Sequence, residues 1–334
     1  MTEFLEENKK VLTISIPTYN GSKTIERALD SLFSQLDEVK NVEILVSDNK
    51  STDQTAALVK KYPDVSYYCN EINYGIDKNI ALSIEKAKGD YVWVMGDDDY
   101  LQPGAIKHVI KVIKTNPGLG AIFVNYSLYD TEKELYDKER WIDIYKDVHC
   151  PNADIFLNIT NVASNFIPAT VHNRKLFIEA DYTKYIGTFW VQFATLLDYL
   201  AYEEAYCISH PYVVNAGSSI DADHNAGGTS LNIICSLMKV ITDLPKDAYS
   251  DKSIKNTQDK VRLFLTSKIT SSRRLGLKLN YTILRRCIKY FGGKFYFWIV
   301  QLPLLMLPKW AHYFLYKIYK IKAINILYWK VKKL

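Results

Sequence analysis

Several features that mark other protein classes are missing from this 334-residue sequence. The five cysteines are scattered and form no CxxC pair, so the usual spacing of a zinc site or redox pair is absent, and a reducing, cytosolic setting is expected. The first residues, MTEFLEENKK, are charged and lack the apolar core of a signal peptide, so they do not predict secretion. PTYNGS follows the first apolar run where a dinucleotide-binding oxidoreductase would have GxGxxG, which leaves that class poorly supported.

Long apolar runs are also missing, and so are acidic residues near the C-terminus. The longest nearly apolar run, Phe295 to Pro308, has 14 residues and is interrupted by Gln301 and Pro303. A membrane-spanning helix needs about 20. The last part of the chain, from Lys260 to Leu334, holds 17 of the 42 Lys and Arg residues and no Asp or Glu, which leaves 25 basic residues against all 37 acidic ones elsewhere. Two regions with different surroundings are therefore expected.

The N-terminal part alternates short apolar runs with amphipathic stretches. Helical spacing occurs near 22–36, 53–62, 76–88 and 103–115. Between these stretches lie β-branched and aromatic runs that predict buried strands at 11–16, 42–47, 65–69, 91–95 and 120–125. This alternation predicts an α/β fold with a mainly parallel sheet and helices on both faces. Later in the chain, the pattern predicts a helix at 188–204 and a strand at 210–214.

Polar clusters follow three of these strands, at the sheet edge where α/β proteins bind ligands. They are PTYN at 17–20, SDNKSTD at 47–53 and GDDD at 96–99. Asp97, Asp98 and Asp99 would repel one another unless a cation, a raised pKa or solvent compensates their charges. Carboxylates with open coordination positions suit Mg²⁺ or Mn²⁺ carrying a phosphate ester. The alternative is a solvated acidic turn that caps the helix beginning near Pro103.

Three ordered motifs within residues 11–125 resemble the nucleotide-sugar glycosyltransferases of family 2, which have the GT-A fold. They read ISIPTYNGSKTIERALDSLFSQ, EILVSDNKSTDQT and NYGIDKNIALSIEKAKGDYVWVMGDDDYLQPGAI. The resemblance implies a GT-A, Rossmann-like domain over 1–259, with a nucleotide-binding half at 11–126 and an acceptor half at 127–259. The residues that match the family's nucleotide-sugar-binding positions are Pro17, Tyr19, Asn20, Asp48, Asn79 and Asp97. Asp98 matches the metal-binding carboxylate, which implies Mn²⁺ or Mg²⁺ as cofactor.

The sequence departs from the family pattern at three places. Gly96 occupies the first position of the usual DxD motif, and Asn49 replaces a second acidic residue of the nucleotide turn, which could alter the base or sugar preference. No Glu-Asp pair supplies the catalytic base, since Thr188 and Phe189 stand at the matching positions. Candidates for the base are Asp181, Asp223 and His224, although each also suits a surface or loop position. His224 could instead contact the metal or the diphosphate.

Residues 260–334 are expected to form a helical, basic and aromatic extension. Tryptophans and tyrosines beside lysines are typical of segments that lie in the interface of an anionic membrane. Two alternatives remain: packing on the catalytic domain or on a second subunit, which would give a homo-oligomer, and nucleic-acid binding. The charge fits nucleic acid, but no binding motif accompanies it, so no nucleic-acid partner is expected.

The motifs and the charge pattern together predict an inverting, metal-dependent glycosyltransferase. Its donor would be a nucleotide sugar, and its acceptor a saccharide or lipid-linked saccharide in surface polysaccharide synthesis. It would lie in the cytoplasm, on the inner face of the plasma membrane. The missing Glu-Asp pair leaves an alternative, a donor-binding or scaffold subunit with the same fold and little turnover.

Overall fold

Ten strands form one sheet in the computed structural model, which describes residues 10–131, 133–216 and 230–319. The strands are β1 Leu12–Thr18, β2 Val42–Asp48, β3 Val65–Cys69, β4 Tyr91–Val94, β5 Tyr100–Leu101, β6 Ala121–Asp130, β7 Leu135–Lys138, β8 Val148–Cys150, β9 Thr170–Asn173 and β10 Ala205–Asn215. Their order is β3-β2-β1-β4-β9-β6-β10-β5, and β7 pairs with β6 and β8 with β10.

The first four strands are parallel, as the alternation of apolar runs and amphipathic stretches predicts. β1 pairs in parallel with both β2 and β4, and β2 pairs in parallel with β3. β1, β2 and β4 are almost entirely buried, because helices cover both faces of the sheet. This half of the sheet brings the carboxyl ends of β1, β2 and β4 together at one edge.

The second half of the sheet mixes directions. β9 lies between β4 and β6 and is antiparallel to both, whereas β10 is parallel to β6 and antiparallel to β5 and β8. Several of these strands have only two to four residues, too few for a periodic pattern to be read from the sequence. The strand expected at 210–214 is the second half of β10, which begins five residues earlier.

The α-helices of the described residues are α1 Ile25–Phe33, α2 Thr55–Val59, α3 Ile76–Lys86, α4 Ala105–Thr115, α5 Ala153–Thr160, α6 Arg174–Glu179, α7 Val191–Tyr199, α8 Ser230–Thr242, α9 Asp251–Arg274, α10 Tyr281–Phe291, α11 Leu302–Met306 and α12 Lys309–Tyr319. The first helices bury apolar residues at helical spacing, as in α1, where Ile25, Ala28, Leu29 and Leu32 face inward. A π-helical turn, Phe297–Gln301, precedes α11.

The chain divides into two compact units. The first comprises Met1–Ser218 and Asp243–Thr257, and the second Ser219–Thr242 and Gln258–Leu334. The boundary expected near residue 260 lies close to one of these divisions, but Ser219–Thr242 groups with the C-terminal part. Where it is described, the extension expected at 260–334 consists of helices joined by short non-helical connections. Within the described ranges, no helix is both long and apolar enough to cross a membrane.

Buried asparagines join the end of β2 to the segment that leads into α3. Asn79, on α3, donates from Nδ2 to the backbone oxygen of Ser47 (3.0 Å) and accepts from Ser47 Oγ and Asn70 Nδ2, each at 2.9 Å. Asn49 accepts from the backbone N–H of Tyr74 (2.9 Å) and donates to Asn73 Oδ1 (2.8 Å). The amide groups both donate and accept, so they hold the turn after β2 in one arrangement.

We expect Asn49→Asp to destabilise the first unit by about 1–3 kcal/mol, because the carboxylate loses two donated hydrogen bonds. Those bonds go to Asn73 Oδ1 and to the backbone oxygen of Gly75 (3.3 Å), and a carboxylate there would meet both oxygens with negative charge. Urea unfolding measures the loss. The control is Asn152→Asp at the N-cap of α5, where aspartate accepts from the Ile155 N–H equally well and stability should not change. Equal stability of the two variants would contradict the role given to Asn49.

A buried histidine couples stability to pH. His172, on β9, has no exposed surface, and its Nδ1 lies 3.0 Å from the Tyr199 hydroxyl while Nε2 has no hydrogen-bond partner. Burial lowers its pKa from 6.5 to about 3, so the folded protein keeps the ring neutral. The unfolded chain binds a proton that the folded chain does not, between these two values.

The contribution of His172 to stability should be complete above pH 6.5 and fall as the pH drops toward 3, by ~1.4 kcal/mol per pH unit inside that window. His172→Gln cannot titrate, so the difference in unfolding free energy between wild type and variant should shrink from pH 7.5 to pH 5. The control is Thr115→Ser, at an exposed residue that does not ionise, which should keep the wild-type slope. A constant difference between wild type and His172→Gln would contradict the interpretation.

Candidate active site

Three polar turns meet at one edge of the parallel strands. Thr18 ends β1 and pairs in register with Asp48, which ends β2. After β4, the N–H of Met95 donates to the oxygen of Ser15 (2.8 Å), so the chain continues alongside β1. Thr18 Oγ1 then donates a hydrogen bond to the carboxylate of Asp97. The turns after β1, β2 and β4 therefore form one rim, the edge at which such sheets bind ligands.

Asp97 and Asp98 give the rim two adjacent carboxylates. Burial raises the pKa of Asp97 to about 6, with the hydrogen bond from Thr18 opposing the rise and the charge of Asp98 adding to it. Desolvation also raises the pKa of Asp98, although its side chain reaches solvent. A divalent cation would compensate this desolvated charge, and the oxygen donors suit Mg²⁺ or Mn²⁺. No three His, Cys, Asp or Glu side chains converge as a metal site in the described part of the chain, so water or phosphates would complete the coordination.

Two glycines make room for these carboxylates. A Cβ on Gly21 would collide with the Asp97 carboxylate and with Thr18 Oγ1. A Cβ on Gly96 would lie 2.5 Å from Asp99 Oδ2 and 2.8 Å from Asp98 Oδ1. A side chain at Gly96 would therefore require the carboxylates of Asp98 and Asp99 to move, which gives the departure from DxD a steric context.

Asp99 differs from its two neighbours. It is 3% exposed, and burial raises its pKa well above the usual value, with the charges of Asp98 and Asp97 adding to the rise. The backbone N–H of Ala216, just after β10, donates to its carboxylate. The sequence grouped the three aspartates around one cation, but Asp99 instead lies beneath the rim and ties the turn to the end of β10.

Arg27, on α1, supplies a positive charge that sequence analysis missed. Its guanidinium donates to the backbone oxygen of Asp98 and lies 5.5 Å from the centroid of the Tyr100 ring. Its charge lowers the pKa values of Asp98 and Asp99 against the effect of burial. The contact joins residues 71 positions apart. In the sequence, the only indication of this contact is that α1 follows the first polar turn.

Hydrogen bonds hold the turn after β2, which the sequence predicts to bind the nucleotide. Asp48, 1% exposed, accepts from the N–H of Ser51 (2.7 Å) and from the Tyr67 hydroxyl (2.6 Å). Burial and the hydrogen bond to Asp48 raise the pKa of Tyr67. Asn20, in the left-handed region at φ 56°, accepts from the N–H of Thr52 (2.8 Å) and so locks the first turn to the second.

The other predicted donor-site residues differ in accessibility. Tyr19 is 48% exposed and presents its ring at the rim, and Pro17 is half-buried within β1. Asn79 is 3% exposed, and its contacts are to protein groups beneath the rim, including Ser47 and the backbone oxygen of Thr18. Its donor contact stays a prediction, and its described contacts are those of a positioning residue.

The segment at the predicted position of the catalytic base contains no carboxylate. It precedes α7 and is held by Asp77, whose carboxylate accepts backbone N–H groups from Gly187 and Phe189 at 2.8 Å and from Val191 at 3.3 Å. Burial raises the pKa of Asp77, and these N–H groups oppose the rise. Thr188 uses its hydroxyl to donate to the backbone oxygen of Tyr185. The carboxylate beside this segment, that of Asp77, is engaged with its backbone N–H groups.

Asp181, the predicted base, does not belong to the segment that Asp77 holds before α7. It is exposed, accepts from Thr183 Oγ1 and borders a shallow cleft of about 360 Å³ beside α6. α6 begins directly after Asn173, which pairs with Tyr91 at the start of β4. Asp97 and Asp98 follow the other end of that strand. Asp181 as the base stays a prediction that these surroundings do not favour. His224 and Asp223 lie outside the described residues.

Comparison with known proteins agrees with this geometry. Residues 13–175 match the model of the Glycosyl transferase family 2 domain. An *Escherichia coli* UDP-Glc:alpha-D-GlcNAc-diphosphoundecaprenol beta-1,3-glucosyltransferase, WfaP, is 33% identical over 129 residues, which are 37% of this chain and 48% of that protein. Matches to four other relatives span 29–37% of their length, so the chain spans well under two thirds of these curated proteins.

Two solved structures share the fold. *S. aureus* TarS 1–349 in complex with UDP-GlcNAc superposes with a TM-score of 0.58 at 17% identity, over 85% of this chain and 80% of that one. The mannosyltransferase PcManGT from *Pyrobaculum calidifontis*, in complex with GDP-Man and Mn²⁺, gives 0.51 at 14% identity, over 96% and 92%. At these identities the likeness concerns the fold alone, and it confirms the predicted fold class. The family match identifies residues 13–175 as a glycosyltransferase family 2 domain.

Proposed function

We propose that the protein transfers a sugar from a nucleoside diphosphate to a lipid-linked saccharide in polysaccharide synthesis, with inversion at the anomeric carbon. The observation that carries the proposal is the pair of adjacent carboxylates at the rim, the half-buried Asp97 held by Thr18 and the exposed Asp98, beside the nucleotide turn that Asp48 and Asn20 hold. A relative named for transfer to a diphosphoundecaprenol-linked sugar supports the acceptor class. A neighbour of the same fold in complex with UDP-GlcNAc supports the donor class.

Asp97 and Asp98 would hold Mn²⁺ or Mg²⁺, which supplies positive charge to the departing diphosphate when bound. A solved neighbour of the same fold in complex with GDP-Man and Mn²⁺ supports this cofactor. Thr18 orients Asp97 through its hydrogen bond, and Arg27 presents a fixed guanidinium beside Asp98. The exposed Tyr19 ring offers a surface for the nucleotide base.

A second candidate is a donor-binding or scaffold subunit with little turnover. The observation that favours it is the segment before α7, which carries Thr188 and Phe189 and no carboxylate. Release of nucleoside diphosphate by purified protein, measured with a panel of nucleotide sugars and lipid-linked saccharides, separates the two. Donor binding without turnover on any acceptor would select the scaffold.

We infer that the protein acts at the cytoplasmic face of a membrane, with the anionic surface as partner, because the proposed acceptor is linked to a lipid. A homo-oligomer through the C-terminal region is the competing use of that region.

We expect the full chain to bind one nucleoside diphosphate more tightly when Mn²⁺ is present, and Asp98→Asn to lose that dependence, because the amide is a weak ligand of hard cations. Calorimetry with UDP and GDP, with and without Mn²⁺, measures it. Asp64→Asn, an exposed aspartate at the other end of the sheet, just before β3, serves as control and should bind as wild type. Unchanged Mn²⁺ dependence in Asp98→Asn would exclude Asp98 as a ligand.

Arg27→Gln should weaken binding of the diphosphate about tenfold or more and leave the monophosphate of the same nucleoside nearly unaffected, because it removes a charge-assisted hydrogen bond. The control, Lys61→Gln, removes one positive charge from an exposed pair with Glu26. The ratio of the two dissociation constants measures the effect in each protein. Equal weakening of both nucleotides would mean that Arg27 only supports the aspartate turn.

A further inference from the structure

The second unit exposes an unusual amount of apolar surface between Phe295 and Leu315. Ten large apolar side chains in this stretch are at least 36% exposed, among them Trp298, Met306, Trp310 and Phe314. Trp310 is 73% exposed and Phe314 60%. Soluble proteins rarely leave contiguous apolar patches of this kind uncovered, and such patches mark interaction sites.

The exposure follows from how these helices pack. In the π-helical turn and α11, Phe297, Gln301 and Leu305 recur every four residues and are buried, so the remaining faces point outward. In α12, Ala311 and His312 are buried. Trp310, Tyr313, Phe314 and Lys317 have i, i+3, i+4 and i+7 spacing and form one exposed face. This face, with the outward side chains of 295–306, is called the aromatic face below.

Lysines accompany the aromatic face. Lys317 lies 5.0 Å from the centroid of the Tyr313 ring, Lys309 is exposed at the start of α12, and Lys289 is exposed near the end of α10. No acidic residue occurs in the sequence from Lys260 onward. Any partner must therefore accept exposed aromatic rings and also compensate an excess of positive charge.

We propose that the aromatic face docks the protein on an anionic lipid surface. Tryptophan and phenylalanine on one face with lysine beside them are the side chains that hold a helix in the headgroup region. Each lysine near an anionic bilayer contributes on the order of 1 kcal/mol. A second copy of the chain fits less well, because two such faces would bring like charges together without a carboxylate from this segment to pair them.

Binding to vesicles by the full chain tests the proposal. Sedimentation should show strong binding to phosphatidylcholine vesicles that contain phosphatidylglycerol, weak binding to phosphatidylcholine alone, and a loss on adding salt. The double variant Trp310→Ser with Phe314→Ser should bind at least about tenfold more weakly, because both side chains lose apolar burial. The matched control is Tyr145→Ser with Tyr202→Ser, at rings that are 77% and 76% exposed in the first unit, and it should bind as wild type.

A charge variant separates the electrostatic part. Lys289→Gln, Lys309→Gln and Lys317→Gln together should weaken binding to the anionic vesicles at least about tenfold and leave binding to phosphatidylcholine alone unchanged. The control exchanges the exposed Lys40, Lys60 and Lys114 of the first unit for glutamine and should keep wild-type binding.

Three results would overturn the proposal. The first is no vesicle binding at low salt, and the second is equal binding by wild type and the Trp310, Phe314 variant. The third is a concentration-dependent dimer that the same variant abolishes, which would assign the aromatic face to a second copy. The substituted side chains are exposed, so thermal unfolding should match wild type. Nucleotide binding on the same samples tests the proposed transfer separately, because vesicle binding does not require it.

Discussion

The hydrogen bond from Thr18 to Asp97 joins the end of β1 to the turn after β4, and the rim around it has to accommodate desolvated negative charge. The parallel register places Thr18 beside Asp48, so carboxylates from two separate turns approach the same strand end. Gly21 lies against this contact, because a side chain there would occupy the space of the Asp97 carboxylate, and Gly96 lies in the same way against the carboxylates of Asp98 and Asp99. The glycines in these turns therefore leave room for the neighbouring carboxylates.

The rim compensates each aspartate differently, which explains how three consecutive carboxylates coexist. Asp99 is buried, burial raises its pKa well above the usual value, and the N–H of Ala216 donates to its carboxylate. Asp98 has Arg27 nearby, and Asp97 has Thr18. The remaining negative charge lies on Asp97 and Asp98, at the solvent-facing side of the rim. A cation with a bound diphosphate would meet that remainder from the solvent side.

Much of the first half could be predicted because its strands are buried on both faces and its helices have regular apolar spacing. β1 to β4 begin and end within two residues of the predicted bounds. The short β5, β8 and β9 could not be predicted, because two to four residues carry no period and their pairing depends on distant strands. Sequence motifs likewise located Asp48 and Asp98 but not the inward direction of Asn79 or the approach of Arg27, both of which depend on tertiary packing.

The uneven distribution of charge along the sequence has a physical consequence for the aromatic face. Residues before Lys260 carry 25 basic and 37 acidic side chains, and an anionic lipid surface would repel that net negative charge. Salt limits such forces to about 8–10 Å, so charge acts on a membrane only where it lies close to it. If the net charge of +5 were spread evenly over the protein, it would attract an anionic lipid surface only weakly. Collecting 17 basic residues in the segment with exposed aromatic rings would concentrate the attraction to lipid in the segment for which we also propose apolar contact.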